Sequence, residues 1–333
     1  MKAIIPTAGV GSRLQPFTHT VPKVLLQVAD KAILGHILDS VIQEGIHEVT
    51  FVVGYLGEMI EEYVTENYPQ IQAHFVEQEE AKGLGHAIYL TRAVHADETE
   101  PVVIILGDTI LQANLSVLKD APDNMIGVCE VDNPQRFGIV ELDGDYVSNM
   151  VEKPDKPRSN LAIVGIYFLK NLPLLYRCLE ENIENRIKTK DEYQLTDALQ
   201  LMLDKGSKMK AFPVKGWYDC GKPETLLATN RTLLEMRFPN NKAELEARYE
   251  TVRVRPPVYI AEGARVSDSI IGPYVTIGKD CVVDSSIVTN SIINQDARLR
   301  GVLLADSIIG NDAQVEARAI RLYVGDKSEV IYE

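Results

Sequence analysis

Cysteine is scarce and scattered in this chain: Cys129, Cys178, Cys220 and Cys281 are the four, and no two form a CxxC pair. Such spacing speaks against a zinc ribbon or a disulfide framework and favours reduced thiols. No stretch approaches the roughly 18 apolar residues of a membrane-spanning helix, and the opening Met1-Lys2-Ala3-Ile4-Ile5-Pro6 lacks the apolar run of a signal peptide. The expectation is a cytoplasmic protein with no membrane partner. Basic charge is in deficit, with 34 Lys and Arg against 48 Asp and Glu, a net −14. A broad basic surface for nucleic acid is thereby excluded. Acid is missing in its turn from residues 1–29, which hold Lys2, Arg13 and Lys23. A local cationic pocket in an acidic protein points to a small anionic ligand.

The 333 residues, 45% hydrophobic and 25% charged, have the make-up of a folded chain of one or, more readily, two domains. In the first half, short apolar runs alternate with helical spacing. Ala3-Ile4-Ile5, Glu48 to Val53, Ile71 to Val76 and Pro101 to Leu106 read as strands. Ile33 to Ile42, Leu56 to Glu66 and Leu84 to Val94 read as helices. This alternation implies βαβ units and a parallel sheet. Shorter strands follow over 125–169, then helices near Leu172–Asn182, Tyr193–Leu203 and Pro223–Met236, with a strand near Met209–Val214.

After Pro256-Pro257 the pattern changes. Ile260, Val266, Ile271, Ile277 and Val283 recur every five or six residues, and Ser-Ile-Ile appears at Ser269, Ser291 and Ser307. Hexapeptide periodicity of this kind marks a parallel β-helix, here of about three to five coils. The expected organisation is a Rossmann-like mixed α/β domain over 1–237, a linker over 238–252, and a short left-handed β-helix over 253–333 through which the chain self-associates.

The most informative stretch runs from Ala8-Gly9-Val10-Gly11-Ser12-Arg13-Leu14 to Pro22-Lys23, directly after the first strand. A dinucleotide fingerprint needs a small residue where Leu14 stands, and a P-loop needs a lysine after its last glycine; both fail. What remains is a glycine loop whose amides can approach phosphate, with Arg13 and Lys23 to neutralise it. The string resembles the signature GxG[ST]RLxPxTxxxPK of sugar-1-phosphate nucleotidylyltransferases, and within that family the thymidylyltransferase type that acts on glucose-1-phosphate. The family's further prolines are replaced by Val24, Gln27 and Ala32.

That resemblance implies that Ala8, Gly9, Gly11, Ser12 and Arg13 bind the nucleotide, Arg13 on its triphosphate, and that Lys23 holds phosphate at the reaction centre. Gln78 to Ala87 resembles the family's base-reading loop, with Gln78 and Gly83 at the matching positions; His86 reads equally as a packing residue. Leu106-Gly107-Asp108 and Gly216-Trp217-Tyr218-Asp219-Cys220-Gly221 resemble its GD and WxDxG elements. Two such oxygen ligands suit magnesium, a hard ion that keeps waters and bridges to substrate phosphates. Phe137 to Glu141 and Val151 to Pro154 resemble the sugar pocket. They imply Gly138 against the sugar, Glu152 on its hydroxyls and Lys153 on its phosphate; Glu192 to Asp197 matches more loosely, with Glu192 on the sugar side.

The implied reaction is NTP plus sugar-1-phosphate giving NDP-sugar and pyrophosphate, with dTTP or UTP and glucose-1-phosphate as the first choice. GTP with mannose-1-phosphate is the runner-up. A subunit that binds NDP-sugars without making them stays open as another class of reading. Acetyl transfer by the β-helix is disfavoured, because all six histidines precede residue 96.

Overall fold

The computed structural model describes residues 1–96, 98–112 and 115–317, so the end of the expected β-helix, 318–333, lies outside the described residues. The chain divides into two compact units, one of Met1–Leu26 with Lys31–Thr229, the other of Gln27–Asp30 with the chain from Asn230 onward.

In the first unit the apolar runs become strands β1 (Lys2–Pro6), β2 (Glu48–Val53), β3 (Gln72–Glu77) and β4 (Val102–Ile105). They are mutually parallel in the order β3-β2-β1-β4. Helices α1 (Ile33–Gln43), α2 (Gly57–Asn67) and α3 (Leu84–Leu90) lie between successive strands. Parallel pairing requires such crossovers.

The helix expected over Leu84 to Val94 is two, α3 and α4 (Arg92–His95). Thr91 between them is fully buried, and its hydroxyl donates back to the Ile88 carbonyl at 2.7 Å. Side-chain bonding of this kind competes with the helical ladder.

Beyond β4 the sheet turns mixed. Its other members are β6 (Asn124–Glu130), β7 (Gly138–Asp143), β8 (Tyr146–Glu152), β9 (Leu161–Leu169) and β10 (Met209–Pro213), continuing the order as β9-β6-β10-β8-β7. Helices α5 (Leu172–Glu184) and α6 (Leu195–Asp204) share one apolar cluster with it, in which Ile4, Ile104, Ile126, Tyr167 and Leu199 meet.

A separate two-stranded ribbon pairs β5 (Thr109–Gln112) with β11 (Gly216–Asp219), setting Asp219 opposite Thr109. Sequence periodicity gave no sign of this ribbon.

The second unit holds part of α7 (Pro223–Arg237), α8 (Lys242–Arg248) and three four-stranded parallel sheets. This is the stacking of a β-helix. Each coil returns after 16 or 17 residues, setting Val254 beside Ile271, Ile271 beside Val288 and Val288 beside Leu304. The columns Ile277–Ile293–Ile309 and Val283–Leu299–Val315 do the same on the other sides.

The Ser-Ile-Ile phrase serves two corners rather than one. Ser269 matches Ser286, whose amide it accepts at 3.0 Å, while Ser291 accepts the Ser307 amide at 3.2 Å. Within 238–252, Leu245 of α8 is buried in the β-helix core, and the Glu246 carboxylate accepts the Val254 amide at 2.9 Å.

Candidate active site

A cleft of about 540 Å³ opens at the carboxyl ends of β1 and β4. Ligands sit there in α/β sheets because the loops leaving the strands diverge. Of the residues expected to bind substrate, Ala8, Gly9, Gly11, Ser12, Arg13, Lys23, Gln78, Gly83, Asp108 and Glu192 line it. Gly138, Glu152, Lys153 and Asp219 do not.

The glycine loop is fixed at both ends. Thr7 bonds the Val52 carbonyl through its amide and its hydroxyl, each at 2.8 Å, and the Thr18 hydroxyl donates to the Gly11 carbonyl at 2.9 Å. Leu14 is fully buried under the turn that follows, which leaves Arg13 exposed at the cleft.

Lys23 is only 7% exposed, and its ammonium donates to Asp108 Oδ2 at 2.6 Å. The Thr109 hydroxyl donates to the other oxygen at 3.1 Å. Burial by itself would raise the Asp108 carboxyl. The adjacent Lys23 ammonium, the Thr109 hydroxyl and the charge of Arg13 outweigh it and hold the group below the ordinary carboxylate range. Asp108 is therefore ionised at neutral pH. The sequence reading assigned Lys23 to phosphate alone and missed this pairing.

Asp219 reaches the same neighbourhood along the ribbon, where the Cys220 amide donates to the Asp108 carbonyl at 3.2 Å. A Cβ placed on Gly221 would lie 2.7 Å from Asp219 Oδ1 and 3.1 Å from an Arg13 guanidinium nitrogen. A side chain there would have to displace that carboxylate or that cation. Cys220, buried beside them, has its thiol pushed up to about 12 by burial, with the Thr229 hydrogen bond and the Lys23 charge opposing. It is a packing residue.

Among the described residues no group of three or more His, Cys, Asp or Glu side chains is arranged around a metal. Asp108 and Asp219 nonetheless fit a hard divalent ion. Asp108 is ionised with lone pairs to spare, and the cradle at Gly221 leaves Asp219 Oδ1 unobstructed by side chain.

In the loop expected to read the base, Gln78 follows β3 and Gly83 precedes α3. Gly83 has φ 105°, and a Cβ there would lie 2.6 Å from the Tyr193 carbonyl, so glycine is obligatory. Two backbone bonds tie this loop to the 192–194 segment, Gly85 N to Tyr193 O at 2.8 Å and Tyr193 N to Lys82 O at 2.9 Å. The Gln78 amide nitrogen lies 3.3 Å from the Gly83 carbonyl and 3.0 Å from His86 Nδ1.

The residues expected to meet the sugar form a second cluster. Gly138 at the start of β7 pairs with Glu152 at the end of β8, so that a Cβ on Gly138 would stand 2.9 Å from Glu152 Oε2. That oxygen accepts the Thr196 hydroxyl at 2.7 Å, and the other lies 3.1 Å from the Lys153 ammonium. Burial and then the charges of Glu152 and Asp108 push the Tyr167 phenol well above its usual value. Tyr167 thus feels the carboxylates of both clusters.

A model of the nucleotidyl transferase family matches residues 2–236. The glucose-1-phosphate thymidylyltransferase of Streptomyces griseus is 30% identical over an alignment of 359 residues that covers 98% of each chain. The UTP–glucose-1-phosphate uridylyltransferase AglF of Haloferax volcanii is 34% identical over 233 residues, 67% of this chain and 93% of that one. Among solved structures, a UDP-glucose pyrophosphorylase complexed with UDP-glucose superposes with a TM-score of 0.61 at 26% identity, covering 71% of this chain and 99% of that chain.

Proposed function

The chain belongs to the nucleotidyl transferase family, and we propose that it joins dTTP or UTP to glucose-1-phosphate through the cleft at the ends of β1 and β4. It is an enzyme that transfers a nucleotidyl group from an NTP to a sugar-1-phosphate, giving NDP-sugar and pyrophosphate. One observation carries the site reading: the glycine loop, Arg13 and the Lys23–Asp108 pair all border one cleft. The choice of base and sugar is supported by what the similar proteins are named for, thymidylyl and uridylyl transfer to glucose-1-phosphate.

The sugar phosphate has a second pKa of about 6, so its oxygen is already nucleophilic at neutral pH and needs no base. The barrier is the approach of two polyanions, which positioned cations lower. Lys153 would orient the attacking phosphate while Glu152, steadied by Thr196, holds sugar hydroxyls against Gly138; Glu192, expected on the sugar, stands instead against Gly83 in the cleft. Arg13, Lys23 and the Gly9–Gly11 amides would take up charge as pyrophosphate departs. Gln78 and Gly83 would meet the base. Asp108 and Asp219 would hold magnesium, which when bound supplies charge neutralisation at the phosphates.

In this reading the catalytic domain spans 1–237 and a linker spans 238–252. The β-helix from 253 on serves self-association, with Ile287 and Leu303, 42% and 78% exposed, as neighbours on one outer face. No described helix is long and apolar enough to cross a membrane, and all four cysteines are free. Free thiols support a cytoplasmic location. Pyrophosphate release from dTTP, UTP, GTP and CTP, each with glucose- and mannose-1-phosphate and magnesium, tests the proposal. Turnover is expected with dTTP or UTP and glucose-1-phosphate. Turnover with GTP and mannose-1-phosphate would move the assignment, and binding without release would make the chain a sensor.

A further inference from the structure

Both hydrogens of the Gln78 side-chain amide are spent inside the base loop, one on the Gly83 carbonyl and one on His86 Nδ1, at 3.3 and 3.0 Å. The Gly83 carbonyl can only accept, so the amide must turn its nitrogen toward it. His86 Nδ1 must then accept as well, which places the imidazole proton on Nε2. Only the carbonyl oxygen of Gln78 is left for the cleft that Gln78 lines.

We infer that His86 is the positioning residue that sets base selectivity: by holding the Gln78 amide nitrogen, it presents a fixed acceptor to the cleft and admits bases with a ring N–H at that edge. Uracil and thymine carry that N–H. Cytosine and adenine offer a lone pair there and meet the Gln78 oxygen with repulsion. The inference deepens the proposal that the cleft takes a uridine or thymidine triphosphate and rests on it.

The surroundings keep His86 in the accepting form. Burial first, and then the positive charge of Lys82, lower its pKa; Glu80 opposes, but is itself ion-paired to Lys82 at 2.7 Å. Glu192 and Tyr193 face the loop from the segment packed on Gly83.

The test is equilibrium binding of UTP and CTP, with magnesium, to the full chain and to His86→Leu and His86→Asn. Asn places an oxygen where Nδ1 stood. The wild type is expected to prefer UTP by at least about tenfold, the order of one buried polar mismatch. His86→Leu removes the shorter of the two bonds and leaves the amide held only by the 3.3 Å bond to Gly83, so the preference falls to within about threefold; His86→Asn restores it. As the pH falls through the lowered pKa of His86, protonated Nδ1 opposes the amide N–H, so the UTP preference of the wild type falls more than that of His86→Asn. The two nucleotides share their phosphates, so phosphate titration cancels in the ratio.

An unchanged ratio in His86→Leu, or one lost equally in His86→Asn, overturns the inference. If His86→Leu does not fold, the acid dependence of the wild type against His86→Asn decides. A wild type that discriminates but releases no pyrophosphate ends the catalytic reading and leaves the role of His86 standing. One that binds both nucleotides alike ends the role of His86 whatever its turnover.

Discussion

Lys23, in the cleft, keeps 8% of its side chain exposed and bonds Asp108 at 2.6 Å, whereas Lys153, in the second cluster, keeps 41% of its side chain exposed and lies 3.1 Å from Glu152. Sequence alone presents them as two phosphate-binding lysines of equal standing. The fold makes them different instruments. Lys23 is locked into a network that also keeps Asp108 ionised, so its position is settled before any triphosphate arrives. Lys153 stands on a left-handed residue, φ 44°, and reaches from the end of a strand into solvent. A buried cation trades adaptability for preorganisation; an exposed one remains free to follow a phosphate that moves during reaction.

The contrast can be broken or sharpened by substitution. Asp108→Asn is expected to cost most, about 10³-fold or more in pyrophosphate release, or about 4 kcal/mol, with folding retained by circular dichroism. Wild-type-like turnover would remove the carboxylate from the chemistry. Arg13→Ala is expected to lower kcat/KM by about 2–4 kcal/mol in steady-state kinetics, the worth of one preorganised donor. In thermal unfolding, Lys23→Met should lose about 1–3 kcal/mol, less than a fully buried pair would because Asp108 is 37% exposed, while Lys153→Met should lose almost nothing. Equal losses would erase the distinction between the two lysines. Lys153→Ala should raise the KM for sugar phosphate about tenfold and leave nucleotide binding alone. The smallest effect is expected from Thr196→Val, about 1 kcal/mol, read as a severalfold rise in the same KM.

The β-helix was the most legible part of the chain. Each inward position meets the same environment 16 or 17 residues later, so Val254, Ile271 and Val288 repeat one choice in one column. Strands β1, β2 and β4 were legible for a similar reason, because strands buried on both faces read as short unbroken apolar runs. The ribbon of β5 and β11 was not. Its strands are four residues each, and their pairing depends on a partner far away in sequence. The same holds for the bond between Lys23 and Asp108 and for Gly221 between Asp219 and Arg13. Residue types and motifs implied a phosphate role for these groups. Which cation meets which carboxylate is a property of the folded sheet, and no local pattern encodes it. His86 shows the limit well: its spacing suits a helix face, and its contact with Gln78 appears only when the loop closes.

In the proposed site, Asp108 and Asp219 serve one ion at one triphosphate. Crystals grown with UTP and manganese, used in place of magnesium for its anomalous scattering, test this most directly. The expected result is an anomalous peak within bonding distance of Asp108, Asp219 and a phosphate oxygen, with the triphosphate against Gly9–Gly11 and Arg13. A peak on the triphosphate remote from both carboxylates, or a triphosphate bound outside this cleft, would contradict it.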